Sequence, residues 1–155
     1  MSTTKCFGGV NNVTVDTKGR VGIPSKYRQE LHELCNSNLV VTANIVGDIS
    51  ILIYPKLYWV AVEEQLQKFS STDREGYIQR MMLSHATECE PDNNGRILLP
   101  PPLRKDMKIK KSCVLLGLGN RFELWDQKIW DNYREQKRQE IHTEGADSVL
   151  KDFYL

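Results

Sequence analysis

The residues of this sequence best suited to chemistry form one short polar motif that occurs twice. Asp16 to Arg20 read Asp-Thr-Lys-Gly-Arg, and Asp92 to Arg96 read Asp-Asn-Asn-Gly-Arg, 76 positions further along the chain. The planar guanidinium of an arginine suits the O6 and N7 atoms of guanine in the major groove, or a phosphate group. An arginine held on a tight turn therefore predicts recognition of nucleic acid.

The other residues of the motif are typical of a tight turn. Gly19 and Gly95 supply backbone freedom, while Asp16 and Asp92 can accept hydrogen bonds from backbone N–H groups at the entry of the turn. We interpret these four residues as structural, so that each arginine projects from a rigid base. The alternative is that each arginine only forms an ion pair with the aspartate of its own turn and holds that turn in shape.

Positive charges cluster after both turns, although the formal net charge of the chain is only +1. What matters for nucleic-acid binding is where the cations lie, and not their total. The second turn is followed by Arg104, Lys105, Lys108, Lys110 and Lys111. The second turn itself is less cationic, because it has Asn94 where the first has Lys18. We predict that the DNA-binding residues are Lys18, Arg20, Lys26, Arg28 and Arg96. For each run of charges, an ordinary solvated surface is the alternative.

Elements of the same kind and order are predicted around both motifs. In the first copy we predict a strand at 13–15, a proline-initiated helix over 25–34, strands over 39–45 and 49–54, and a helix from Pro55. In the second copy we predict a strand before Asp92, a strand over 96–99, a helix to Met107, strands over 113–118 and 121–125, and a helix to about His142. A hairpin loop that includes residues 46–48 absorbs the difference in length between the copies.

The duplication also predicts how the chain is divided. We expect a first repeat over 7–69, a connecting helix over 70–84, a second repeat over 85–142 and a C-terminal tail over 143–155. An isolated half of ~70 residues would bury little apolar surface and be marginally stable by itself. The two halves are therefore expected to fold together around a shared core.

Composition places the chain among globular proteins. Hydrophobic residues make up 40% and charged residues 26%, and no apolar run approaches the ~18 residues that a membrane span requires. The first nine residues contain no apolar export segment, so we expect a cytoplasmic protein without contact to a membrane. The predicted binding of DNA adds the expectation that the protein is associated with the nucleoid. The four cysteines include no Cys-x-x-Cys pair, and we interpret them as free thiols.

An enzyme is the rival class, and the sequence offers little for it. His32 to Cys35 lack the second histidine of a zinc-protease helix, and His85 with Cys89 would supply at most two metal ligands. The segment Gly117-Leu118-Gly119 lacks the third glycine of a dinucleotide-binding loop. We therefore predict no catalytic site, no metal, no cofactor and no small-molecule substrate.

Several motifs in their order along the chain resemble the MraZ family of bacterial transcriptional regulators. They are Phe7-Gly8, the two Asp-x-x-Gly-Arg turns, Ser84-His85-Ala86-x-Glu88, and the Phe-Glu-Leu-Trp-Asp segment at 122–126. The resemblance covers roughly residues 7 to 142. Its specificity comes from two copies of the turn combined with the last signature, since either turn alone would be weak evidence.

The resemblance implies a fold, a partner and a function. The fold would be α+β and β-rich, with two interleaved AbrB-like swapped-hairpin halves forming one pseudo-dimeric β-barrel body with short helices. The chain would assemble into a homo-oligomer, a closed ring, that binds direct repeats of double-stranded DNA. Its target would be the promoter of the division and cell-wall gene cluster, which includes its own gene.

A protein-interaction module of the antitoxin type is the alternative to a regulator. Such a module would favour one folded element followed by a disordered tail. Here the second half is itself patterned, with Trp125, Ile129, Trp130 and Tyr133 at spacings typical of a packed element. The pattern favours a folded duplicate.

Overall fold

The computed structural model describes residues 6–45 and 49–153, apart from the side chain of Glu144. The strands are β1 (Phe7–Thr14), β2 (Arg20–Gly22), β3 (Leu39–Asn44), β4 (Ser50–Pro55), β5 (Thr87–Cys89), β6 (Arg96–Leu98), β7 (Ser112–Gly119) and β8 (Phe122–Asp126). The helices are α1 (Ser25–Cys35), α2 (Lys56–Gln67), α3 (Asp73–His85), α4 (Pro101–Asp106), α5 (Gln127–Glu144) and α6 (Ala146–Leu150). The hairpin loop predicted at 46–48 lies outside the described residues.

Prolines set the start of three helices, as the sequence indicated. Pro24, Pro55 and Pro100 directly precede α1, α2 and α4, with φ angles of −54°, −55° and −58°. The ring fixes φ near these values, and the missing N–H is not needed at the beginning of a helix. Two further prolines occupy the first turn of α4, which is only six residues long.

The strands of the two copies pair with each other, and every pair is antiparallel in the part of the chain that the structure describes. Six strands make an antiparallel sheet in the order β1-β7-β8-β4-β3-β5, and β2 pairs with β6 in a separate two-stranded ribbon. Of the six strand pairs in the described chain, only β3–β4 and β7–β8 lie within one copy. The other four pairs join the first copy to the second.

The α+β class is confirmed, but the strands of the described residues do not close into a barrel. The six-stranded sheet is open, with β1 and β5 at its edges. The strands that follow the two turns, β2 and β6, pair with each other in the separate ribbon and therefore do not join the edges β1 and β5 of the sheet. A single bridge between Val15 and Val21 links the end of β1 to the ribbon.

The sheet is covered on both faces, so every residue of β3 and β4 is buried, including the polar Thr42, Asn44 and Ser50. On one face, a main core joins the sheet to the ribbon, α1 and α4 through Ile23, Leu31, Ile97 and Leu103 among others. On the other face, α2 and α3 cover Val40, Leu52 and Tyr54. The aromatic stripe of α5 covers Val114 and Leu116 on that same face. These layers fix the position of the ribbon and its turns.

Candidate nucleic-acid interface

The two turns have nearly the same internal hydrogen bonds. In the first, Asp16 Oδ1 accepts the backbone N–H groups of Lys18 (3.0 Å) and Arg20 (2.8 Å). In the second, Asp92 Oδ1 accepts those of Asn94 and Arg96, both at 2.9 Å. The hydrogen bond from the arginine N–H is the main reason that the pKa of each aspartate lies below its ordinary value of 3.8. Both carboxylates are therefore ionised at neutral pH and accept hydrogen bonds within their turns.

Both turn glycines are required by conformation and by space. Gly19 and Gly95 have φ angles of +86° and +75°, a region that other residues rarely adopt. A side chain on Gly19 would also lie 2.5 Å from the guanidinium of Arg104, which belongs to the second copy. Arg28 of the first copy stands over Gly95 in the same way. Each turn is therefore held by an arginine from the opposite copy.

The ribbon presents the two motif arginines on one face. Arg20 lies opposite Leu98, and Gly22 lies opposite Arg96. Directly opposed residues of an antiparallel pair share a face. The alternate positions, Val21 and Ile97, turn into the core and are buried. The outer face thus carries two guanidinium groups with the 58% exposed side chain of Leu98 between them.

The arginines form ion pairs with the aspartates but stay partly open to solvent. Arg20 Nε lies 2.7 Å from Asp16 Oδ2, while Arg96 Nη1 lies 3.8 Å from the same oxygen. Arg96 Nε is 3.4 Å from Asp92 Oδ2 and buried, and no hydrogen bond to it is found within the described residues. Both arginine side chains are about one third exposed, at 34% and 33%. The ion pair is thus present at both turns, and it leaves part of each guanidinium accessible.

Of the other three cations predicted to bind DNA, two lie at the turns and one lies elsewhere. Lys18 is exposed on the first turn. The guanidinium of Arg28 lies over Gly95 of the second turn, and its Nε donates to the Ile23 carbonyl at 2.8 Å. Lys26 lies over the ring of Tyr27, 5.0 Å from its centroid, and against the backbone of Gly9. Six residues, 10–15, separate Gly9 from Asp16 at the start of the first turn, a distance of roughly 20 Å along an extended chain. The structure thus brings Lys18 and Arg28 to the turns but not Lys26.

Three cations that were left out of the predicted site lie beside the first turn. Arg104, Lys110 and Lys111 line a cleft together with Asp16 and Thr17. The signal was present in the sequence as a cationic run after the second turn. In sequence order that run follows the second turn, and the pairing of strands between the copies places it next to the first.

Two searches of the described residues bear on the other function classes. Within residues 6–45 and 49–153, no three His, Cys, Asp or Glu side chains are grouped so that they could hold a metal ion. In the same part of the chain, no helix is both long and apolar enough to cross a bilayer.

The duplicated architecture matches a known protein family. The family profile described as "MraZ protein, putative antitoxin-like" matches residues 6–80 and again residues 82–152. A "Transcriptional regulator MraZ" of Thioalkalivibrio sulfidiphilus is 43% identical over 151 residues, which is 96% of this chain and 99% of the relative. Proteins of the same name from Methylococcus capsulatus (39% identical, 92% and 93% covered) and Legionella pneumophila strain Corby (40%, 96% and 99%) are also similar. The chain therefore belongs to the MraZ family.

Proposed function

We propose that this protein is a sequence-specific DNA-binding regulator of transcription. Its target is the promoter of the division and cell-wall gene cluster, including its own gene, where it binds direct repeats. The relatives are named transcriptional regulators, which supports a role in the regulation of transcription. The proposal also places the protein in the cytoplasm, in association with the nucleoid.

The observation that carries the proposal is the outer face of the β2–β6 ribbon. A two-stranded ribbon fits the major groove of B-DNA, and arginine is the side chain that most often reads guanine there. Arg20 and Arg96 project from the same face on turns fixed by Asp16 and Asp92. Lys18 adds an exposed charge for the phosphate backbone. We retain Lys18, Arg20 and Arg96 as DNA contacts, and assign Arg28 to holding the second turn.

Oligomerisation supplies the affinity that one subunit lacks. Each phosphate contact adds a salt-sensitive increment, and a single ribbon offers few of them. Several ribbons in a closed homo-oligomeric ring would meet successive repeats at high effective concentration. Avidity of this kind can raise affinity by a factor of about 10²–10⁴ without any new contact.

The fold proposal follows the same duplication. We assign 7–69 and 85–142 to two AbrB-like swapped-hairpin repeats, 70–84 to the connection and 143–155 to the tail. The pairing of β1 with β7, β2 with β6 and β3 with β5 supports an interleaved pseudo-dimer, because in each case a strand of one copy completes the other.

The first test is the substitution Arg20→Ala. We expect a loss of affinity of about 5- to 150-fold for DNA from upstream of the protein's own gene, since a bidentate arginine–guanine contact contributes about 1–3 kcal/mol of discrimination. Affinity for a scrambled duplex should change less. Gel-shift titrations with both duplexes measure the ratio, and size-exclusion chromatography confirms that the oligomer is intact.

Arg138→Ala is the matched control. Arg138 also pairs with a carboxylate, Glu135, at 2.7 Å, but it lies on the exposed side of α5. It should leave DNA binding unchanged. If Arg20→Ala binds as tightly as the native protein, Arg20 does not belong to the site. If the native protein shows no preference for the promoter duplex, a protein-interaction module of the antitoxin type becomes the better hypothesis for its function.

A further inference from the structure

An open cleft of about 510 Å³ beside the first turn collects positive charge from the opposite copy of the motif. Its lining includes Thr17 and Asp16 from the turn, and Arg104, Lys110 and Lys111 from the segment between α4 and β7. The carboxylate in the lining is already engaged by the arginine of its own turn. Little negative charge in the lining is therefore left to neutralise the three cations.

The backbone around the two lysines is fixed while their side chains are free to bind a ligand. The carbonyl of Lys111 accepts the N–H of Val15 at 2.9 Å, and the carbonyl of Lys110 accepts the thiol of Cys113 at 3.2 Å. Both lysine residues are nevertheless exposed. These backbone contacts thus hold two exposed ammonium groups next to the first turn, and no ion pair to either is found among residues 6–45 and 49–153.

Arg104 is held in place from the other side of the cleft. Its Nε donates to the Leu99 carbonyl at 3.2 Å, and its guanidinium covers Gly19. This contact keeps a third positive group at the base of the turn. A guanidinium fixed in this way can bind a phosphate in the orientation that its planar fork requires.

The equivalent cleft beside the second turn is lined by fewer cations. The strand registers align the copies, since Val13 lies opposite Cys113 in one edge pair and Cys89 lies opposite Leu39 in the other. By this alignment the neutral residues Asn36 and Ser37 stand where the second copy has Lys110 and Lys111. The cleft there is lined by one cation, Arg28, and one carboxylate, Asp92.

We infer that the cleft between the first turn and Lys110–Lys111 binds a phosphate of the DNA backbone, and that the first turn is consequently the stronger DNA contact of the two. The inference rests on the proposed function. A phosphate beside an arginine-bearing turn fits the usual division of labour, in which backbone contacts position a protein and base contacts specify the sequence. Lysine suits this role as a compact point charge.

The test compares Lys110→Gln/Lys111→Gln with Lys68→Gln/Lys128→Gln. Both variants remove two exposed lysines and so change the net charge equally. Lys68 directly follows α2 and Lys128 lies on α5, and neither lines the cleft. Binding to the promoter duplex and to a scrambled duplex is titrated over a range of salt concentrations. For the cleft variant we expect equal weakening on both duplexes, and a slope of log K against log salt that falls by about 0.9 for each lost phosphate contact. For the control we expect native slopes.

The outcomes separate the inference from the proposed function. Specific binding by the native protein with an unchanged slope in the cleft variant overturns the inference and leaves the regulator proposal standing. Equal slope changes in both variants also overturn it, because general charge then explains the effect. Failure of the native protein to bind either duplex overturns both proposals. Unfolding curves that coincide for all variants show that any change in binding arises from the side chains and not from the fold.

Discussion

At the residue scale, each turn glycine is required for two reasons, its left-handed backbone and the arginine of the other copy that lies over it. Gly95 has a φ angle of +75°, and a side chain there would meet the guanidinium of Arg28. The arginine end can move, but then its hydrogen bond to the Ile23 carbonyl is lost. Backbone strain and displacement of Arg28 should therefore both oppose any substitution.

We expect Gly95→Ala to lower the free energy of unfolding by about 2–3 kcal/mol. Left-handed backbone costs a residue with a side chain roughly 1–2 kcal/mol, and a lost hydrogen bond about 1 kcal/mol. Urea denaturation measures the sum. In an Arg28→Ala background the same substitution should cost only the backbone part, about 1–2 kcal/mol.

Gly8→Ala provides the control for this prediction. Its added methyl group would have no neighbouring atom within 4 Å, and no left-handed φ is found there. It should change the stability by less than Gly95→Ala does. An equal cost for Gly95→Ala in both backgrounds would mean that Arg28 does not occupy the space over the second turn.

At the element scale, the hydroxyl of Tyr27 connects α1 to the edge strand β1. It donates to the Gly8 carbonyl at 2.5 Å and accepts from the Asn11 amide at 3.0 Å. The ring packs between Phe7 and Phe122, with centroid distances of 6.0 and 4.9 Å. Because β1 runs directly into the first turn, this contact also determines where that turn stands.

Tyr27→Phe should lower the free energy of unfolding by about 1–2 kcal/mol, the usual cost of removing a partner from buried or half-buried polar groups. The aromatic packing is retained, so the loss is assigned to the hydroxyl. Chemical denaturation measures the free energy of unfolding. Amide hydrogen exchange in β1 should become faster than in the native protein, and the increase should be larger in β1 than in β3 or β4. Tyr77→Phe, at a ring that is 57% exposed, should have no effect. Unchanged exchange in β1 would contradict the assignment.

Local patterns predicted most of the elements, while contacts between the copies could not be read from them. The helix predicted from Pro55 forms as α2, and its buried residues Trp59 and Leu66 lie seven positions apart, a helical spacing that depends only on neighbouring residues. The strand predicted at 13–15 instead begins at Phe7, where Gly8 and Gly9 are poor strand formers. Pairing with β7 along its whole length overrides that local preference.

The site shows the same division between local and distant information. The hydrogen bonds within each turn follow from residues four positions apart, and they were predicted. The position of Arg104 over Gly19, and of Lys110 and Lys111 beside the first turn, depends on pairing between strands far apart in sequence. Periodicity carries no trace of such pairing. Family resemblance supplied the expectation of interleaved halves, but not which cations meet which turn.

At the scale of the whole molecule, the two copies depend on each other for their sheets and their core. Without the second copy, β1 and β2 lose their partner strands β7 and β6. The main core also contains residues of both copies, including Phe7, Tyr27 and Phe122. Each half keeps only its own hairpin, β3–β4 or β7–β8, and a hairpin alone is at best marginally stable in water.

We therefore expect fragments 1–70 and 71–155 to be largely unfolded when separate and to recover the native fold when mixed. The break falls between Ser70 and Ser71, which are exposed between α2 and α3. Far-ultraviolet circular dichroism and heteronuclear NMR spectra of the mixture should match those of the intact chain. Recovery must depend on concentration, because the fragments meet by diffusion, whereas folding of the intact chain in one step does not. A single fragment that folded cooperatively and independently of concentration would show that a half carries its own core, and the interleaved arrangement would then be wrong.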